Sequence, residues 1–72
     1  MKRFLQTISN IVLGTVTTGN TPLKVRTGPG VTYGIVKQLT NGTEVLIYDL
    51  AYTNNVAWGR VSNGWICLDY TV

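Results

Sequence analysis

The sequence predicts an all-β fold, a small antiparallel barrel of five or six short strands within residues 14 to 72. Three observations carry that expectation. Short runs rich in Val, Ile, Thr and aromatic residues have the composition that a half-buried pleated surface favours. Gly, Pro and Asn punctuate every run, as turns require. Finally, 72 residues make one thin-cored domain that buries only about 60% of its unfolded surface. So many strands in so short a chain cannot form a large sandwich, and closing on themselves is the economical solution.

The elements follow in order. Residues 1 to 13, MKRFLQTISNIVL, differ from the rest. Phe4, Leu5, Ile8, Ile11 and Val12 recur at helical spacing, and Gly14 would end a helix, so this extension reads as a linker or a short amphipathic helix. Lys2 and Arg3 resemble the start of a signal peptide. However, Gln6, Thr7, Ser9 and Asn10 interrupt the apolar run, and no small-residue cleavage site follows. A helix this short is marginal alone in water and would need to dock on the barrel or on a second copy of the chain. From Gly14 onward GTVT, LKVR, YGIVKQL, EVLIYDL, VAWGRV and WICL read as strands, with AYTNN as a loop and DYTV closing the chain. Asn41-Gly42 and Asn63-Gly64 are strong hairpin signals. Alternation places Val25, Ile35, Leu39, Val45, Ile47, Val61 and Ile66 in the interior.

Composition narrows the function. Cys67 is the lone cysteine and histidine is absent, so an internal disulfide and the usual zinc spacings are excluded and no metal or other cofactor is expected. Without histidine, Cys67 lacks the partner of a Cys–His nucleophile. Glu44, Asp49 and Asp69 are the only carboxylates. The first two fall at a strand start and a strand end, ordinary places for solvated acids rather than for a glycosidase pair. The net charge is +3, but from Leu13 onward four positive residues face three negative ones. A nearly neutral body lacks the clustered cations that phosphate binding needs, which argues against nucleic acid. The segment 1 to 13 is also too short to cross a membrane.

The stretch Leu23-Lys24-Val25-Arg26-Thr27-Gly28-Pro29-Gly30, followed by Tyr33, resembles the opening motif of the bacterial SH3-like domain of cell-wall hydrolases and phage endolysins. GIVKQLTNGTEVLI, WGRV and GWICLDY are similar to that family's later strands, in the right order, across residues 14 to 72. Lys24 and Gly30 depart from its pattern, and the RVSNGWI turn is short. The resemblance implies an SH3-like barrel that binds peptidoglycan and brings a hydrolase, on the same or another chain, to its substrate. It also implies action at the cell wall after release. A single unpaired thiol fits synthesis in a cytoplasm followed by such release.

Aromatic residues supply the candidate site. Tyr and Trp offer broad apolar faces, a polar tip and few rotors to freeze. Tyr33 ends a Gly-rich loop, and Tyr48 alternates away from Ile47 and should face outward. Trp65 follows a turn and reads equally as core or surface. Tyr70 lines a groove or plugs the barrel end, and Trp58 reads as at least half core. Arg26 either caps turn carbonyls or pairs with Asp69, or else offers a donor fork to a ligand carboxylate. The sequence therefore points to a non-catalytic peptidoglycan-binding groove lined by Tyr33, Tyr48, Trp65 and Tyr70, with Arg26 and Asp69 setting its polarity. The alternative is a module that binds a protein peptide, or one that oligomerises through residues 1 to 13.

Overall fold

Seven short strands build the fold in a computed structural model that describes residues 11–72. They are β1 (Val12–Thr15), β2 (Leu23–Arg26), β3 (Ile35–Leu39), β4 (Glu44–Ile47), β5 (Asp49–Thr53), β6 (Val56–Val61) and β7 (Gly64–Cys67). A short 3-10 turn, η1 (Leu68–Tyr70), follows. All-β is the class observed. The strands form two antiparallel sheets, β1-β4 and β3-β2-β7-β6-β5, rather than one closed barrel. The segment expected to be helical lies largely outside the described residues. Its last part, Val12 and Leu13, belongs to β1, opposite Ile47 and Leu46.

The core lies between the sheets. Val16, Leu23, Val25, Ile47, Val61 and Ile66 form one buried cluster, with Leu39, Val45 and Leu68 packed against it. Ile66 is fully buried, and sequestering such a side chain contributes about 1.5–3 kcal/mol. At Gly59, β6 comes close to Ile47 of β4 and to Leu68 of η1. A Cβ there would lie 2.8 Å from Leu68 Cδ2 and 2.9 Å from Ile47 Cγ2, so glycine is what the spacing admits. Ile35 corrects the expected interior, being half exposed. It sits on β3, an edge strand. The β2–β3 register slips between Val25 and Arg26, so that Arg26 faces Ile35 and Val25 faces Lys37.

Turn chemistry also departs from expectation. AYTNN is not a loop: Ala51, Tyr52 and Thr53 belong to β5, which pairs with β6 across Asn54-Asn55. Both asparagines have positive φ, 53° and 67°, as a type I′ hairpin demands. Asn63-Gly64 does mark a hairpin, but Gly64 already pairs with Val61, leaving Ser62-Asn63 as the loop. Asn41-Gly42 makes no hairpin, because β3 pairs with β2 and β4 with β1. That turn carries the chain from one sheet to the other. Asn41 Oδ1 accepts hydrogen bonds from the N–H groups of Thr18 and Gly19, at 2.9 and 3.2 Å. The Gly42 N–H donates to the carbonyl of Val16. At the other end of the chain, residues 70 to 72 run antiparallel to residues 15 to 17. The N–H of Thr15 donates to the Val72 carbonyl, that of Val72 to the Thr15 carbonyl, and that of Thr17 to the Tyr70 carbonyl.

Candidate functional site

Alternation along the strands separates the two faces of the larger sheet. Val25 and Ile66 point into the core. Lys24 and Arg26 of β2, Trp65 and Cys67 of β7, and Trp58 and Arg60 of β6 therefore point to the opposite face. Register aligns them in rows. Arg26 lies opposite Trp65, Trp65 opposite Arg60, and Arg60 opposite Asp49. The neighbouring row holds Cys67, Trp58 and Ala51.

Trp58 is only 4% exposed, yet it stands apart from the core cluster. The β2–β3 connection accounts for its cover. The N–H of Thr27 donates to the Gly34 carbonyl at 2.9 Å, which closes the hairpin, and its tip reaches across the sheet face. A Cβ at Gly30 would lie 3.6 Å from Thr53 Cγ2 on β5, three strands from β2 in sheet order. The result is a groove of about 700 Å³ beneath the tip. Trp58, Leu23, Pro22, Val31 and Val56 supply its apolar surface. Lys24, Arg26 and Asp69 are its charged lining residues, with Tyr70, Cys67, Thr18 and Asn54 beside them. The hydroxyl oxygen of Thr18 is buried and has no hydrogen-bond partner among the described residues.

The six residues read from the sequence divide between this groove and its surroundings. Arg26, Asp69 and Tyr70 line it, and Tyr70 is half exposed. Arg26 takes the carbonyl-capping role: its Nη1 donates to the Tyr33 carbonyl at 2.9 Å. This bond fixes the hairpin tip, and among the described residues the guanidinium makes no other hydrogen bond. Tyr33, 46% exposed, holds the tip in shape. Its ring lies on Gly28, where a Cβ would sit 2.5 Å from Cδ1 and Cε1. Trp65, half-buried, stands in the row beside the groove. Tyr48 faces outward, at the junction of β4 and β5. Its ring lies under the Arg60 guanidinium, 5.5 Å from centroid to Cζ, a cation–π contact worth roughly 0.5–1 kcal/mol at an exposed site.

Sequence reasoning missed Trp58, Val31 and Lys24 as groove residues. Trp58 had a usable signal, since Ala57-Trp58-Gly59-Arg60-Val61 alternates with Val61 inward on the opposite face. Cys67 is half-buried at the groove. Burial pushes its thiol above the ordinary value, partly opposed by a hydrogen bond with the backbone of Asp69, while the Asp69 carboxylate adds to the rise.

Asp69 is the one carboxylate among the groove residues. Glu44 lies opposite Thr15 in the small sheet, and Asp49 accepts a hydrogen bond from the Leu50 N–H. Among the described residues no group of three or more His, Cys, Asp or Glu side chains could hold a metal, and no helix is long and apolar enough to cross a membrane. No protein-family model, curated protein or solved structure matches the chain.

Proposed function

We propose that this chain is a non-catalytic module of the bacterial SH3-like kind, which binds the peptide part of cell-wall peptidoglycan in the groove and so targets a wall hydrolase. The observation that carries the reading is where the motif-bearing segment lies. The LKVRTGPG stretch, on which the resemblance rests, forms β2 and the hairpin tip that roofs the groove. An apolar floor with few charges at its rim suits an extended peptide whose backbone and side chains alternate in polarity. A single lining carboxylate is too few for the paired acids of glycoside hydrolysis. Affinity of one such site is modest, and a tethered enzyme or a second copy would raise it through avidity. The module acts at the wall, after release from the cytoplasm in which it is made.

Sedimentation with purified Gram-positive cell walls tests the proposal. Val31 is 71% exposed and lines the groove, so Val31→Asp should leave the fold intact and release the protein to the supernatant. Equal retention of the variant and the parent would refute the groove as the wall site. Failure of the parent to sediment would instead favour a protein-peptide ligand or an assembly role.

A further inference from the structure

Trp58 is hidden without belonging to the core. It is 4% exposed, yet it stands outside the buried cluster. Its direct cross-strand neighbours on the same face are Cys67 and Ala51, side chains too small to cover an indole. The cover comes from the hairpin tip, whose Gly30 and Val31 line the groove together with Trp58. A ligand that uses the broad face of this ring must first displace that cover.

The tip is bonded to itself and not to what it covers. The Gly30 N–H donates to the Gly28 carbonyl and the Tyr33 N–H to the Gly30 carbonyl, at 3.0 and 3.3 Å. The Tyr33 ring packs on Gly28 and Gly30, and both glycines are buried. At the base, the Thr27 N–H donates to the Gly34 carbonyl and Arg26 Nη1 to the Tyr33 carbonyl. Among the described residues no hydrogen bond joins residues 28 to 33 to β5 or β6. The approach to β5 is a van der Waals one, where Gly30 faces Thr53. Gly34, at the base, is exposed, and a Cβ there meets nothing within 4 Å, so the backbone can turn at that point without a clash.

We propose that residues 28 to 33 form a lid that swings as one body about Thr27 and Gly34, with Arg26 as its latch, and that Trp58 meets a ligand only when the lid lifts. Opening breaks the Gly30–Thr53 contact and the Arg26 bond. It leaves the internal bonds of the tip and the core cluster intact. This deepens the wall-binding reading, on which it rests for what enters the groove, and it adds how entry is controlled. An open form that is a minor population lowers the apparent affinity by its own fraction.

A disulfide across the lid tests it. A Cβ at Gly30 lies 3.6 Å from Thr53 Cγ2 and 3.4 Å from the Tyr33 ring. Gly30→Cys with Thr53→Cys can therefore bridge, since bridged Cβ atoms sit about 3.5–4.5 Å apart. Cys67→Ser removes the third thiol. Hydrogen exchange at the Trp58 indole N–H reads the opening, and the amide of the fully buried Ile66 reads global unfolding. With the bridge reduced, the Trp58 signal should exchange faster than that of Ile66. With the bridge oxidised it should slow about tenfold or more, because an open state of about 0.1–10% is then removed. Arg26→Gln, without the cysteines, should speed Trp58 exchange about three- to tenfold, as the loss of one hydrogen bond implies. That arm needs no bridge to form. Sedimentation with cell walls should retain the reduced protein and lose the oxidised one. Trp58 exchange that ignores both the bridge and Arg26→Gln, or walls that hold the oxidised form as well as the reduced, would overturn the lid. Exchange that obeys the bridge while neither form sediments would uphold the lid and sink the wall reading.

Discussion

Substituting Gly28 by alanine isolates the contact that shapes the roof of the groove. The new Cβ would stand 2.5 Å from two carbons of the Tyr33 ring, where carbon atoms prefer about 3.5–4.0 Å. The ring or the hairpin tip must therefore retreat by about 1 Å. Forcing extra volume into a packed site costs about 1–3 kcal/mol. Alanine also restricts the unfolded chain, which returns about 0.4–1 kcal/mol. Gly28 does not have positive φ, so no backbone strain is added, and the net loss should be about 0.5–2 kcal/mol. Gly34 is the control: it too lacks positive φ, and a Cβ there meets nothing within 4 Å. Gly34→Ala should be neutral or stabilising by up to about 1 kcal/mol. Thermal unfolding followed by the fluorescence of Trp58 and Trp65 would separate the variants, since 1 kcal/mol shifts the midpoint of so small a domain by about 4–8 °C. The penalty at Gly28 should vanish when Tyr33 is also alanine. Equal midpoints for Gly28→Ala and Gly34→Ala, or a penalty that survives removal of the ring, would refute the account.

Two further outcomes are expected. Ile66→Ala should cost about 2–5 kcal/mol in urea unfolding, whereas Ile35→Ala, half exposed on the edge strand, should stay within about 0.5 kcal/mol. The Cys67 thiol binds its proton more tightly when folded than when unfolded. Stability contributed there is present below the unfolded thiol pKa and declines as pH rises through that value toward the higher folded one. Alkylation of folded protein should accordingly reach its half-maximal rate at a higher pH than in the denatured chain.

The strand character of LKVR and the turn that follows were legible because alternation and Gly-Pro-Gly act locally. Trp58 reads from the sequence as at least half core; it is buried but stands outside the core cluster, and its place as groove floor depends on a hairpin tip arriving from three strands away. Ile35 misled because alternation gives the face of a residue and not whether a neighbour covers it. The register slip at Arg26 and the edge position of β3 leave it bare. Asn41-Gly42 misled differently. A dipeptide can reverse the chain, but long-range pairing decides which strand the next one joins, and β4 joins β1. Asn54-Asn55 serves the hairpin without glycine because asparagine tolerates the left-handed region. Of the expected site, Arg26, Asp69 and Tyr70 line one groove. Tyr33 supports it from above, and Trp65 and Tyr48 stand outside it.

The antiparallel seam between residues 15–17 and 70–72 has a mechanical consequence. Thr15 pairs with Val72 and Thr17 with Tyr70, so Val12 and Val72 leave the seam at the same end. A load drawing the two apart would unzip the bonds one at a time instead of shearing them together. Val72 would peel first and Tyr70 last, so pulling on a tether would reach the rim of the groove only after the outer bonds had opened.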